Sequence, residues 1–220
     1  MISSEHECVF VHIPKTAGTS IEKKLGLFDE LEQGVQDHRC VFHLEPWSLD
    51  HVRYLPSERG VKILFERLLE SYRYGRPLPE NKFSDYLKFS FVRNTWGRVY
   101  SWYRNVLRDK MHRDALGVEK DISLKNFLKK HSRQTGLNSQ FYWLRGVDGN
   151  INMDFIGRYE KLERDFDKIS DKIGINDPSL PKVLHTDTEP KQYRKGYNEG
   201  TKSIVRQRYR EEIDYFGFEF

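Results

Sequence analysis

Short apolar runs bounded by turn residues alternate along the chain with longer stretches of helical period. The run Val9-Phe10-Val11 within residues 7–13 predicts a buried strand that stops at Pro14, because proline removes a ladder donor. Residues 19–25 then carry helix formers behind a Gly18-Thr19-Ser20 start whose hydroxyls can cap, so residues 14–18 are expected to be a strand-to-helix loop. The pattern recurs at 87–92, Leu-Lys-Phe-Ser-Phe-Val, followed by a helix over 95–107 with Val99, Tyr103 and Val106 on one face. It recurs again as a strand over 153–159 and a helix over 162–173, whose apolar Leu162, Phe166, Ile169 and Ile173 share one stripe and which Gly174 closes.

The intervening segments are less regular. Residues 39–44 form a further short strand candidate, 49–55 and 61–72 read as helical, and 75–81 is a Pro/Gly loop. Residues 124–130 predict a short helix, 176–190 an extended loop holding three of the eight prolines, and 199–215 a closing helix. Strands alternating with helices define the α/β class: one domain over residues 1–220, with a central parallel sheet flanked by helices. In such sheets ligands sit at the carboxyl ends of the strands, so both well-defined strand-to-helix turns are expected to open on one cleft.

Composition narrows the class of partner only a little. An aromatic share of 14% excludes a disordered chain, and 37 basic against 33 acidic residues leave a net charge of +4 in 220 residues, which suits an anionic ligand. The basic residues are interleaved with acids, as in Tyr209-Arg210-Glu211-Glu212, which argues against a nucleic-acid stripe. No apolar stretch approaches membrane-spanning length and no leader pattern opens the chain, so a cytoplasmic protein is expected. Cys8 and Cys40 lack metal or redox spacing and read as buried thiols, and no metal site is expected.

The two turns carry the chemistry. Pro14-Lys15-Thr16-Ala17-Gly18-Thr19-Ser20 gathers a lysine, main-chain N–H groups and hydroxyls where a helix begins, a setting that favours anions. Its order differs from the nucleotide P-loop, because Lys15 precedes Gly18; from the mouth of the loop it can reach the bridging oxygen of a leaving phosphate. In the second turn Arg93 closes a strand, and Ser101 follows about two helical turns later, so both can lean on one phosphate. Arg98 lies three residues before Ser101 and is a candidate for structural support of the turn.

With both turns in place the chain resembles the sulfotransferases that use 3′-phosphoadenosine 5′-phosphosulfate (PAPS), in particular the carbohydrate-type family that includes heparan sulfate 2-O-sulfotransferase and bacterial relatives. Residues 10–20 resemble that family's 5′-phosphosulfate loop, and Phe91-Val92-Arg93-Asn94 through Ser101 its 3′-phosphate element. Residues 154–162 are similar to its late strand, with Tyr159 where adenine is often contacted, and residues 209–220 to its closing helix. Thr95-Trp96-Gly97-Arg98 departs from the family's usual Pro, aromatic, acid, Arg. The resemblance implies a P-loop-kinase-like sulfotransferase fold, PAPS as donor and 3′-phosphoadenosine 5′-phosphate (PAP) as product. It assigns Lys15, Thr16, Ala17, Gly18, Thr19, Ser20, Arg93, Ser101 and Tyr159 to the donor, and Arg194 and Lys195 to a late 3′-phosphate clamp.

Transfer of this kind needs in-line positioning, charge stabilisation and a base for the acceptor hydroxyl. Lys15 is expected to stabilise the leaving group without a metal. His43, in a segment that resembles the one whose histidine faces the donor sulfur, is the expected base, with His38 and His51 as fallbacks. His12 is expected in the core, and His112, His131 and His185 on the surface. Arg39, Trp47, residues 75–81 and Gln140-Phe141-Tyr142-Trp143 are candidates for lining an acceptor cleft, and aromatic and cationic groups suit a saccharide. The rival readings are a P-loop-type nucleotide kinase using magnesium and a non-catalytic phosphate or nucleic-acid binder.

Overall fold

A computed structural model of the chain describes residues 1–26, 37–54, 56–181 and 192–220. The strands β2 (Cys8–Val11), β3 (Leu87–Val92) and β4 (Phe155–Arg158) run parallel, and β1 (Ile2–Ser3) pairs antiparallel with β2, giving the order β1-β2-β3-β4. The fold is α/β, as the alternation of elements predicts; the antiparallel edge strand makes the sheet mixed.

Side-chain alternation sorts the strands onto two cores. Cys8, Phe10, Phe89 and Phe91 pack with Ile21 of α1 (Gly18–Lys24) and with Phe166 and Ile169 of α9 (Leu162–Lys172). Val9, Val11 and Val92 face the other side, against Trp96, Val99 and Val106 of α5 (Thr95–Arg108), Phe127 of α7 (Leu124–Lys130) and Val205 of α10 (Glu199–Arg208). Helices therefore cover both faces. Each fully buried large side chain contributes about 1.5–3 kcal/mol, so the two layers hold the strand ends firmly.

Local signals set several helix starts, although α1 begins behind Ala17 with no side-chain cap. Asn94 caps α5 by accepting from Gly97 N at 3.3 Å, Ser123 caps α7 through Asn126 N at 3.3 Å, and Ser57 caps α3 (Glu58–Tyr74) through Gly60 N at 3.0 Å. The 49–55 segment is a 3₁₀ turn over Leu49–Tyr54, and α4 (Glu80–Asp85) takes the end of the predicted 75–81 loop. The short helices α6 (Lys110–Leu116) and α8 (Phe141–Leu144) have no counterpart in the pattern reading.

Two expectations are corrected. Residues 39–44 are not a strand: Val41–Leu44 is the short helix α2, with extended Cys40 donating its amide to His43 Nδ1 at 2.9 Å. An apolar run this short has no decisive period, and β2, flanked by β1 and β3, offers it no free edge. The closing helix of 199–215 is divided at Tyr209, whose φ of −112° and ψ of 26° interrupt it before α11 (Arg210–Phe216) while its hydroxyl donates to Leu137 O at 2.6 Å. A buried tertiary bond overrides helix propensity there. Of the 176–190 loop, residues 182–190 lie outside the described residues, as does His185. Cys8 and Cys40 are buried and unpaired. No helix among the described residues is long and apolar enough to cross a membrane.

Candidate active site

The loop between β2 and α1 is bent by two non-glycine residues in the left-handed region, Lys15 at φ 72° and Ala17 at φ 69°. Such residues cost roughly 1–3 kcal/mol each and persist where the surroundings impose them. Alternation of this kind turns successive main-chain N–H groups into a concave, anion-facing surface. Thr16, between them, is fully buried and donates its hydroxyl to Ile13 O at 2.8 Å, so it serves the loop through its side chain. Thr19 and Ser20 are half-buried on the first turn of α1.

Arg93 stands at the end of the neighbouring strand and reaches across to this loop, with Nη1 donating to Lys15 O at 3.1 Å. Its guanidinium lies over the Tyr159 ring, 4.0 Å from the centroid. Gln140 clasps its main chain, accepting from Arg93 N at 2.8 Å and donating to Arg93 O at 3.0 Å. Lys15 Nζ donates to Asn105 Oδ1 at 3.2 Å. Neither cation pairs with a carboxylate among the described residues, although both are half-buried. Burial, reinforced by Arg93 and Arg108, pushes the Lys15 ammonium down to about 8, and burial lowers Arg93 as well.

Ser101 falls between these cations by helix geometry. Gly97, whose added Cβ would lie 3.5 Å from Arg93 Nε, and Asn105, bonded to Lys15, flank it at four-residue spacing on one stripe of α5. The Ser101 side chain makes no hydrogen bond to a described residue. The 3₁₀ turn Gln192–Gly196 lies across the same end of α5: a Cβ on Gly196 would meet the Tyr100 ring at 2.1 Å, and Tyr197 Oη donates to Trp96 O at 2.9 Å. The turn's Tyr193 ring lies 3.3 Å from the Cβ position of Gly97, and its Arg194 and Lys195 are exposed, with Arg194 over the Phe220 ring. Arg98 is fully buried instead, donating to Gly136 O and Asn138 O, and so ties α5 to the 136–138 segment.

The three candidate histidines differ in tautomer. His43 Nδ1 accepts the Cys40 amide, so its neutral ring carries the proton on Nε2, a buried atom with no partner among the described residues. His38 Nδ1 lies 3.1 Å from the carbonyl of His12 and must donate to it, leaving Nε2 with a lone pair. Burial holds His38 down to about 4, with the neighbouring His12 adding to it, and burial with Arg39 and Arg67 holds His43 down to about 4. His51 accepts from Arg67 Nη1 at 3.3 Å, on the far side of a buried arginine that also binds Glu45 O and Pro46 O.

Of the cleft candidates, Gln140, Phe141 and Trp143 are buried core or scaffold side chains, and Arg39 is locked in a fork onto Asp37 at 2.8–3.1 Å. Tyr142 is half-buried with its hydroxyl donating to Glu66 Oε2 at 3.1 Å, and Trp47 is 46% exposed beneath Arg67. Asn105 and Glu212 also shape the site, and neither is among the candidates that the motifs single out. Four-residue spacing from Ser101 is the signal that picks out Asn105. Glu212 carries no such signal: fully buried, it accepts from Thr95 Oγ1, Ser139 Oγ, Gln140 N and Gln140 Nε2 at 2.6–3.2 Å and thereby sets the Arg93 clasp.

Lys15 and Arg93 without a carboxylate partner among the described residues, a concave run of amides and a serine hydroxyl bonded to no described residue lie together at the carboxyl edge of the mostly parallel sheet of an α/β protein. The family model of the Sulfotransferase family matches residues 1–219, and the chain belongs to that family. Membership makes the protein a transferase of sulfuryl groups, and the family implies a hydroxyl-bearing acceptor. An uncharacterized protein of Archaeoglobus fulgidus is 32% identical over 103 residues, covering 47% of this chain and 77% of that relative. No solved structure matches the chain.

Proposed function

We propose that the protein moves the sulfuryl group of PAPS to a hydroxyl of an acceptor, of which a saccharide is the favoured class, releasing PAP. The observation that carries this reading is the pair of half-buried cations, Lys15 and Arg93, joined through the Lys15 carbonyl and lacking a carboxylate partner among the described residues. Burying a charge without a partner is costly, and an anionic ligand supplies the missing counter-charge. When bound, the nucleotide supplies an activated sulfuryl group and a phosphate leaving group.

The chain's own residues do the rest. Main-chain N–H groups of Thr16, Ala17, Gly18 and Thr19 hold the 5′ end together with the hydroxyl of Ser20, whose amide donates to Ala17 O at 3.1 Å, and Lys15 neutralises the oxygen that receives the electron pair as its bond to sulfur breaks. Arg93 and Ser101 hold the 3′-phosphate, Arg194 and Lys195 close over it, and Tyr159 orients the adenine. We assign the base to His38 and not to His43, because His38 presents Nε2 with its lone pair while His43 spends Nδ1 on the Cys40 amide. As the acceptor oxygen bonds sulfur, its proton passes to His38 Nε2.

Calorimetry with PAP against adenosine 5′-monophosphate tests the donor assignment, and transfer of labelled sulfate from PAPS to a panel of hydroxylated acceptors tests the reaction. Binding of PAP at least about tenfold tighter, a gain of about 1.4 kcal/mol, is expected. Equal binding of the two nucleotides overturns the reading.

A further inference from the structure

Beneath the anion loop lies a pair of titratable side chains that the reaction above does not use. His12, one residue past β2, sets its Nδ1 2.5 Å from Glu22 Oε1 of α1, and both side chains are sealed from solvent. Glu22 Oε2 has no hydrogen-bond partner among the described residues. The bond joins the two ends of the 13–21 segment, and thus ties the strand to the helix across the loop. His12 also touches two working parts at once. Its ring fills the space under Gly18, where a Cβ would come within 1.9 Å. Its carbonyl accepts His38 Nδ1–H at 3.1 Å, with the two rings 4.3 Å apart.

We infer that Glu22 and His12 form a positioning pair: their hydrogen bond fixes the one residue that sets both the first turn of α1 over the anion loop and the direction of His38 Nε2. The inference rests on the assignment of His38 as base. The protonation of the pair suits the role. Burial drives His12 down to about 3 and Glu22 up to about 7, so below neutrality Glu22 keeps its proton and donates it to Nδ1. The pair then carries no net charge under a loop that receives an anion. A glutamine side chain donates the same bond from Nε2, whereas a leucine fills the volume and cannot.

The test compares Glu22→Leu with Glu22→Gln in the full chain, reading thermal stability, PAP affinity, kcat at saturating donor and the His38 imidazole nitrogens by NMR. Small displacements of reacting groups are costly, so Glu22→Leu is expected to weaken PAP binding and to lower kcat by about tenfold or more each. Glu22→Gln is expected to return both to within about threefold. A folded Glu22→Leu protein with both quantities within about twofold of wild type overturns the pair, since lost packing alone then explains Glu22. Should Glu22→Leu not fold, His12→Asn opens the same space beneath Gly18, and unchanged affinity and kcat in it overturn the inference equally. Wild-type protein that does not bind PAP overturns the donor assignment instead. The pair is then judged on His38: nitrogen shifts altered by Glu22→Leu and restored by Glu22→Gln support it, and unaltered shifts overturn it.

Discussion

Arg93 Nη1 donates to the main-chain carbonyl of Lys15 at 3.1 Å, a bond between residues 78 positions apart that joins the loop after β2 to the end of β3. Because the acceptor is a carbonyl, the guanidinium keeps its full charge for a ligand. The same bond holds a loop whose Lys15 and Ala17 sit in the left-handed region. Two adjacent parallel strands thus deliver two cations to one place, and the sheet register, Phe10 beside Phe89 and Val11 beside Ser90, fixes their spacing.

Removing the Lys15 charge is expected to separate function from stability. Lys15→Met should lower kcat by about 10²–10³, as loss of one preorganised stabiliser does. Without nucleotide it should raise Tm by roughly 2–4 °C, because a half-buried cation beside Arg93 is relieved. Scanning calorimetry and single-turnover rates check both; an unchanged rate removes Lys15 from the reaction.

The pH profile of kcat/KM follows from two groups. Lys15, lowered to about 8, is charged below that value and loses its proton above it, so activity falls as pH rises through about 8. His38, lowered to about 4, holds a free lone pair above that value and is protonated below it, so activity falls as pH drops through about 4. Between the two, activity is expected to hold up to the loss of the Glu22 proton near 7, and Lys15→Arg should move the alkaline limb upward, since a guanidinium stays charged.

The histidines should respond differently to substitution. His38→Ala should slow turnover by about 10²–10⁴ while PAP still binds, the usual contribution of a general base. His43→Asn should stay within a few-fold of wild type, because the amide oxygen can still accept from Cys40 N, while His43→Ala should cost about 1 kcal/mol as a lost cap. Urea denaturation and initial rates distinguish them. A large rate loss in His43→Asn with an intact His38→Ala returns the base to His43.

Glu212 is expected to matter at a distance. Glu212→Ala leaves four donors without their acceptor and should cost about 3–5 kcal/mol, by urea denaturation. It also frees the Gln140 clasp on Arg93, so PAP affinity should fall in whatever fraction folds. Full stability in this variant contradicts the hub.

The sequence by itself determined the elements whose signal is local. Val9-Phe10-Val11 and Leu87–Val92 are apolar enough to be strands in any compact fold, Asn94 and Ser123 sit where caps belong, and the order Lys15, Gly18, Ser20, then Arg93, Ser101 can be read without coordinates. What only the tertiary structure decided is whatever depends on partners far along the chain. Residues 39–44 carry a pattern compatible with strand or helix, and the folded chain makes Val41–Leu44 a short helix. Tyr209 ends a helix because Leu137 O, 72 residues away, holds its hydroxyl. Neither Glu212 nor Gln140 reveals in sequence that it shapes Arg93, and nothing in sequence shows that His38 Nδ1 meets the His12 carbonyl 26 residues away. Periodicity and capping are written within one turn of helix or one strand, whereas a hydrogen bond between distant residues exists only once the chain has closed upon itself.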